Sequence, residues 1–186
     1  DVTDKSNPTL ISIKGYPTSG YTHQGWLTDD HAWFLFDDEL DEQNSGFNTR
    51  TYIANIADLD MPQVPWWYAG ETPAIDHNLY IVGGYAYEAN YTAGLRVIDI
   101  DKVDSGSLCE AGYLDVHPDN NSAVFEGAWS SYPFFASGTV IISAMNGLAI
   151  VKPQLDAVNC EGTTPEPTPE SAAWFASDPG EVSDQY

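Results

Sequence analysis

The sequence predicts an all-β chain made of repeated four-stranded antiparallel units, and three observations carry that prediction. Short aromatic and β-branched runs alternate with Gly, Asn and Asp turns. No stretch sustains a 3.6-residue hydrophobic period. Two landmarks also recur in step. Asp1-Val2-Thr3-Asp4…Asn7-Pro8-Thr9-Leu10 is matched 54 residues later by Asn55-Ile56-Ala57-Asp58…Met61-Pro62-Gln63-Val64, and the same connector restarts at Asp99-Ile100-Asp101. The heads His23-Gln24-Gly25-Trp26, His77-Asn78-Leu79-Tyr80 and Glu126-Gly127-Ala128-Trp129 each set an aromatic three residues after a polar side chain. Four-stranded units repeating every 40 to 55 residues are the signature of β-propeller blades.

Taken in order, Thr9 to Tyr16 reads as an orphan fourth strand, expected to pair at the outer edge of a blade because an open edge leaves unpaired N–H and C=O groups. After His23 the strands fall at about Gly25 to Thr28, Ala32 to Asp37, Thr51 to Ile56 and Gln63 to Ala69. After His77 they fall at Asn78 to Val82, Tyr85 to Asn90, Leu95 to Ile100 and Leu108 to Leu114, with Gly83-Gly84 as a hairpin signal. After Glu126 come Ala128 to Phe134, Thr139 to Ala144 and Leu148 to Lys152, and no fourth strand follows. That is about three blades' worth, whereas a ring needs at least about four. The remaining blades are therefore expected from another fragment or from copies of the chain. The opening inside a repeat motif reads as part of something longer. Residues 1–152 form the blade region. Residues 153–186 form a Pro-alternating acidic spacer around Thr163 to Glu170 and a tail in which Trp174 and Phe175 read as a leftover linker or an apolar plug.

Composition narrows the partners. Six Lys and Arg face 28 Asp and Glu, a formal charge of −22. Such a surface repels phosphates, which argues against nucleic acid and against anionic membranes. No run is long and apolar enough for a spanning helix.

The strings "GLRVIDI", "YTHQGWLTDDHAWFLFDDELDE", "TRTYIANIADLDMP", "AIDHNLYIVGGYAYEANYTAGLRVIDI" and "GAWSSYPFFASGTVIISAMNGLAIV" resemble the C-terminal part of LVIVD-repeat β-propellers, and more narrowly the choice-of-anchor B proteins. The resemblance covers about residues 1–152. It implies a secreted or surface-displayed propeller followed by a variable anchoring segment, and it implies no reaction.

In a blade the first strand lines the central channel, so His23, His77 and Glu126 are expected near one axis. Two imidazoles and a carboxylate suit zinc or another divalent metal; otherwise they line a wet channel and bond to neighbouring blades. Asp37, Asp38, Glu39, Asp41 and Glu42 crowd one loop, Asp37 to Glu42, in an oxygen-rich run that suits calcium, or a solvated acidic loop eased by Arg50. Trp66-Trp67-Tyr68 reads as inter-blade core, with sugar stacking as the alternative. Cys109 and Cys160 form one disulfide or stay as separate thiols. Asn90 and Asn120 head glycosylation sequons. No nucleophile elbow, HExxH or phosphate loop is present. The expected function is a non-catalytic exported or cell-surface binding or scaffold propeller, with glycan or a surface protein as partner. The alternative is an extracellular metal-dependent or acid/base polysaccharide hydrolase or lyase.

Overall fold

The computed structural model describes residues 1–155, 160 and 166–167, and it is all-β. The first sheet joins β1 (Thr22–Leu27), β2 (Trp33–Asp38), β3 (Arg50–Asn55) and β4 (Gln63–Ala69) in chain order, every pair antiparallel. A short helix, α1 (Asp41–Ser45), sits between β2 and β3. The second sheet repeats the plan with β5 (Asn78–Val82), β6 (Tyr85–Ala89), β7 (Leu95–Asp99) and β8 (Cys109–Leu114). The third stops at three strands, β9 (Ala128–Tyr132), β10 (Val140–Ala144) and β11 (Gly147–Val151). These are the predicted blade strands, shifted at some ends. β12 (Glu166–Pro167), part of the spacer, bridges Trp67 and Trp66 on the outer edge of β4. Trp174 and Phe175 lie outside the described residues.

The two-residue side-chain period explains why the sheets stack. Trp33, Leu35 and Ile53 face one way and pack on Leu79, Ile81, Ala86 and Ile98 of the second sheet. The second sheet packs Ala89, Leu95 and Val97 against Ala128, Val140 and Ile142 of the third. Fully burying one such aliphatic side chain stabilises by roughly 1.5–3 kcal/mol. Trp66 packs against the first of these cores and Trp67 against the core on the far side of the first sheet, so that strand is core. No ladder joins β1 to β5. Instead the Gln24 amide Nε2 donates to the Leu79 carbonyl at 2.8 Å while Gln24 Oε1 accepts from the Leu79 N–H. One side chain thus imitates a strand's hydrogen-bond pair.

The two ends of the stack differ. On the first sheet Phe36, Tyr52, Ala54 and Val64 are covered by Tyr16. On the third sheet Ala149 and Val151 turn inward, leaving Leu148 and Ile150 more than 60% exposed on the opposite face.

Three expectations need correction. Thr9 to Tyr16 is not a strand. Among the described residues it joins no ladder, Leu10 and Ile13 are solvated, and only Tyr16 is buried. The reason is geometric: β2 and β3 are already flanked on both sides, and β12 takes part of the outer edge of β4. Asp37 to Glu42 is only in part a loop: Asp37 and Asp38 end β2, Glu39 and Leu40 form a turn, and Asp41 and Glu42 open α1. Asn90 is buried, with Nδ2 donating to Glu88 Oε2 at 3.3 Å, so no glycan transferase reaches it in the folded chain. Asn120, by contrast, is exposed.

Cys109 and Cys160 form a disulfide with Cα atoms 5.6 Å apart, tying β8 to the chain beyond the third sheet. A disulfide fits an oxidising, extracellular setting. Among the described residues no helix is long and apolar enough to cross a membrane.

Candidate functional site

The seam between the first two sheets gathers the chemistry. His23 comes from β1, Glu39 follows directly after β2, and His77 immediately precedes β5. His23 Nδ1 lies 3.4 Å from Glu39 Oε2, and His77 Nε2 lies 3.4 Å from Glu39 Oε1. The two imidazoles stack with centroids 4.5 Å apart and planes 21° apart. One ligand atom from each of the three residues falls within 4.8 Å of the others, and among the described residues no other His, Cys, Asp or Glu trio meets that spacing.

A shell holds the trio in place. The Tyr91 hydroxyl donates to Glu39 Oε1 at 2.7 Å. Tyr91 is buried with φ +31°, a conformation costly for an aromatic residue. Gly127 makes the position workable, because a Cβ there would collide with the Tyr91 carbonyl. That carbonyl accepts the Ala128 N–H at 2.8 Å, so the entry to the third sheet clamps the tyrosine. His77 Nδ1 lies 2.5 Å from the Trp129 carbonyl, which also accepts from Asn78 Nδ2 at 2.8 Å. The Asn78 amide nitrogen also lies 2.7 Å from His77 Nδ1, so these two neighbours orient the ring and turn Nε2 toward Glu39. Burial pushes the His77 pKa below its ordinary value, against the Trp129 carbonyl and Glu39, which raise it.

Glu126 does not join this group. It is exposed, and its carboxylate meets His117 Nε2 at 3.5 Å. His77 stands one residue before its strand and Glu126 two before its own. A one-residue slip turns a side chain to the other face. Trp129 takes the place beside His77, at 5.5 Å between ring centroids.

The acidic run is divided among separate tasks. Asp38 is structural: it accepts the N–H groups of Gly20 and Tyr21 at 2.6 and 2.7 Å and the Tyr16 hydroxyl at 2.7 Å. Asp41 accepts the Tyr52 hydroxyl at 3.0 Å. Asp37 is wholly buried, as is Asp76 beside His77, and neither carboxyl accepts a hydrogen bond. Burial first, then neighbouring carboxylates, pushes both well above the ordinary range. Burial and Asp41 push Glu42 up to about 9. Burial raises the Asp41 carboxyl to about 6, although the charge of Arg50, whose guanidinium lies over the Phe47 ring at 3.3 Å from the centroid, lowers it.

The repeat register pointed to His23 and His77. It marked Trp129 only as the landmark aromatic of the third unit, nothing in it pointed to Tyr91, and Glu39 read as part of the charge run rather than as a partner of the histidines.

A second surface is apolar. Trp26 contacts Tyr80 and Phe134 with ring centroids 5.1 and 5.7 Å apart, and Tyr80 contacts Phe134 at 5.7 Å. Tyr132 extends the set to Phe134 and Phe135 at 5.3 and 5.0 Å. Trp26, Tyr132, Phe134 and Phe135 are each 38–49% exposed, so these rings form one open aromatic face across all three sheets.

Compared with protein-family models, curated proteins and solved structures, the chain matches none.

Proposed function

We propose that the chain is an arc of an exported or cell-surface β-propeller, of the LVIVD-repeat and choice-of-anchor B type its motifs resemble, and that it works as a binding or scaffold module. The apolar face of Leu148 and Ile150 has the character of the faces already buried between the sheets, and a further blade from another fragment or copy is its fitting occupant.

The observation that carries the binding role is the open aromatic face of Trp26, Tyr80, Tyr132, Phe134 and Phe135. Exposed rings in edge-to-face array offer flat apolar surfaces and few hydrogen-bonding groups, the chemistry that holds the C–H faces of sugar rings. A charge of −22 disfavours anionic ligands, so the partner is a neutral glycan.

A second reading, a metal-dependent polysaccharide hydrolase or lyase, is favoured by one observation: two imidazoles and a carboxylate meet at a single seam. One experiment separates the two. Neutral oligosaccharides are titrated while tryptophan emission and new reducing ends are followed together. Saturable quenching that Trp26→Ala weakens, without turnover, supports the binding module. New reducing ends lost in Glu39→Gln would install the enzyme, and silence in both channels would refute both.

A further inference from the structure

We propose that His23, Glu39 and His77 form a site for one borderline transition ion of the Zn²⁺ class. The inference is independent of the glycan reading and stands or falls without it.

The first support is distance. A tetrahedral ion with bonds of about 2.0–2.1 Å sets its ligand atoms about 3.3–3.4 Å apart. His23 Nδ1 lies 3.4 Å from Glu39 Oε2 and His77 Nε2 3.4 Å from Oε1. One ligand atom from each residue lies within 4.8 Å of the others, so a small shift of the side chains closes the set around an ion.

The second support is how the ligands are held. The Trp129 carbonyl, 2.5 Å from His77 Nδ1, and the Asn78 amide, 2.7 Å from it, orient the ring so that Nε2 faces Glu39. Glu39 Oε1 also accepts the Tyr91 hydroxyl hydrogen. An imidazole whose remote nitrogen is anchored at a backbone carbonyl, beside a carboxylate bonded by a hydroxyl, is the outer arrangement that metal-binding histidines and carboxylates show.

The donor set selects the ion. Two nitrogens and one carboxylate suit Zn²⁺, Co²⁺ or Ni²⁺, whereas Ca²⁺ takes six to eight oxygens. Tyr91 and Trp129 wall the inner side with apolar surface. The His23 side chain is 27% exposed and forms the entrance. An ion must lie in the plane of each ring it binds, so loading tilts His23 out of its stack on His77. Three protein ligands leave a fourth position open to water.

The test is Co²⁺ titration of the chelated chain, read by visible d–d absorption, whose intensity reports coordination number. One equivalent should give the strong bands of a four- or five-coordinate ion. One equivalent of Zn²⁺ should remove them, and about millimolar Ca²⁺ should not. His23→Ala, Glu39→Gln and His77→Ala should each weaken affinity at least about tenfold, while His117→Ala leaves it unchanged. His23 belongs to none of the three cores, so His23→Ala keeps its fold, checked by far-UV circular dichroism, and decides the matter if a buried variant unfolds. Absence of a saturable spectrum, or unchanged affinity in His23→Ala, would overturn the site.

Discussion

Replacing Glu88 by Gln should stabilise the protein at pH 7 and leave it unchanged near pH 4.5. Glu88 is 1% exposed on β6, at the centre of the second sheet. Burial raises its pKa to about 7, against the lowering by Thr51 and Asn90 hydrogen bonds; Glu110 raises it further and Arg96 lowers it. Asp37, Tyr68 and Asp76 are its other titratable neighbours. In the unfolded chain the group titrates at its ordinary value of 4.5. Between these values the folded state binds more protons, so stability falls as pH rises. Each unit costs about 1.4 kcal/mol, or about 3 kcal/mol across the interval. Gln removes that titration. It also keeps an acceptor for the Thr51 hydroxyl, and the Asn90 amide, which donates to Glu88 Oε2, turns so that its unpartnered Oδ1 accepts from the new N–H₂. At about 2–4 °C per kcal/mol for this size, Glu88→Gln should raise Tm by about 6–12 °C at pH 7. Thermal unfolding followed by circular dichroism at pH 4.5 and pH 7 measures this. A Tm difference equal at the two pH values, or a lower Tm at pH 7, would refute the buried-proton reasoning.

Three further outcomes follow from named contacts. Reducing Cys109–Cys160, which closes a 51-residue separation, should cost about 4 kcal/mol on the chain-entropy model, seen as a Tm drop of about 8–16 °C; an unchanged Tm would mean the bridge constrains little. Asp38→Ala frees two N–H groups and the Tyr16 hydroxyl, and chemical denaturation should show a loss of about 2–4 kcal/mol. In a glycosylating host, peptide mass spectrometry should find glycan on exposed Asn120 and none on buried Asn90.

The strand plan was legible because short alternating runs between Gly and Asn turns carry it locally. Asn78 to Val82 was read with both ends correct, and the two cysteines were the only pair available. Helix α1 was also written in the chain, with Asp41 and Glu42 in its first turn and Gly46 closing it at φ 71°. The charge run drew attention to cations instead. Thr9 to Tyr16 carries a strand pattern, but a strand exists only against a free edge. Glu126 followed the heads in sequence spacing and missed them in space by one residue of register. The meeting of His23, Glu39, Tyr91 and Trp129 depends on how the sheets stack, which no local pattern encodes.

The most direct measurement is anomalous diffraction at the zinc edge from crystals of the chain loaded with one equivalent of Zn²⁺. The predicted result is one peak at about 2.0–2.2 Å from His23 Nδ1, His77 Nε2 and a Glu39 carboxylate oxygen, with the His23 ring tilted away from its present stack. A peak between Asp37 and Asp76, at Glu126 and His117, or nowhere on the seam would contradict it.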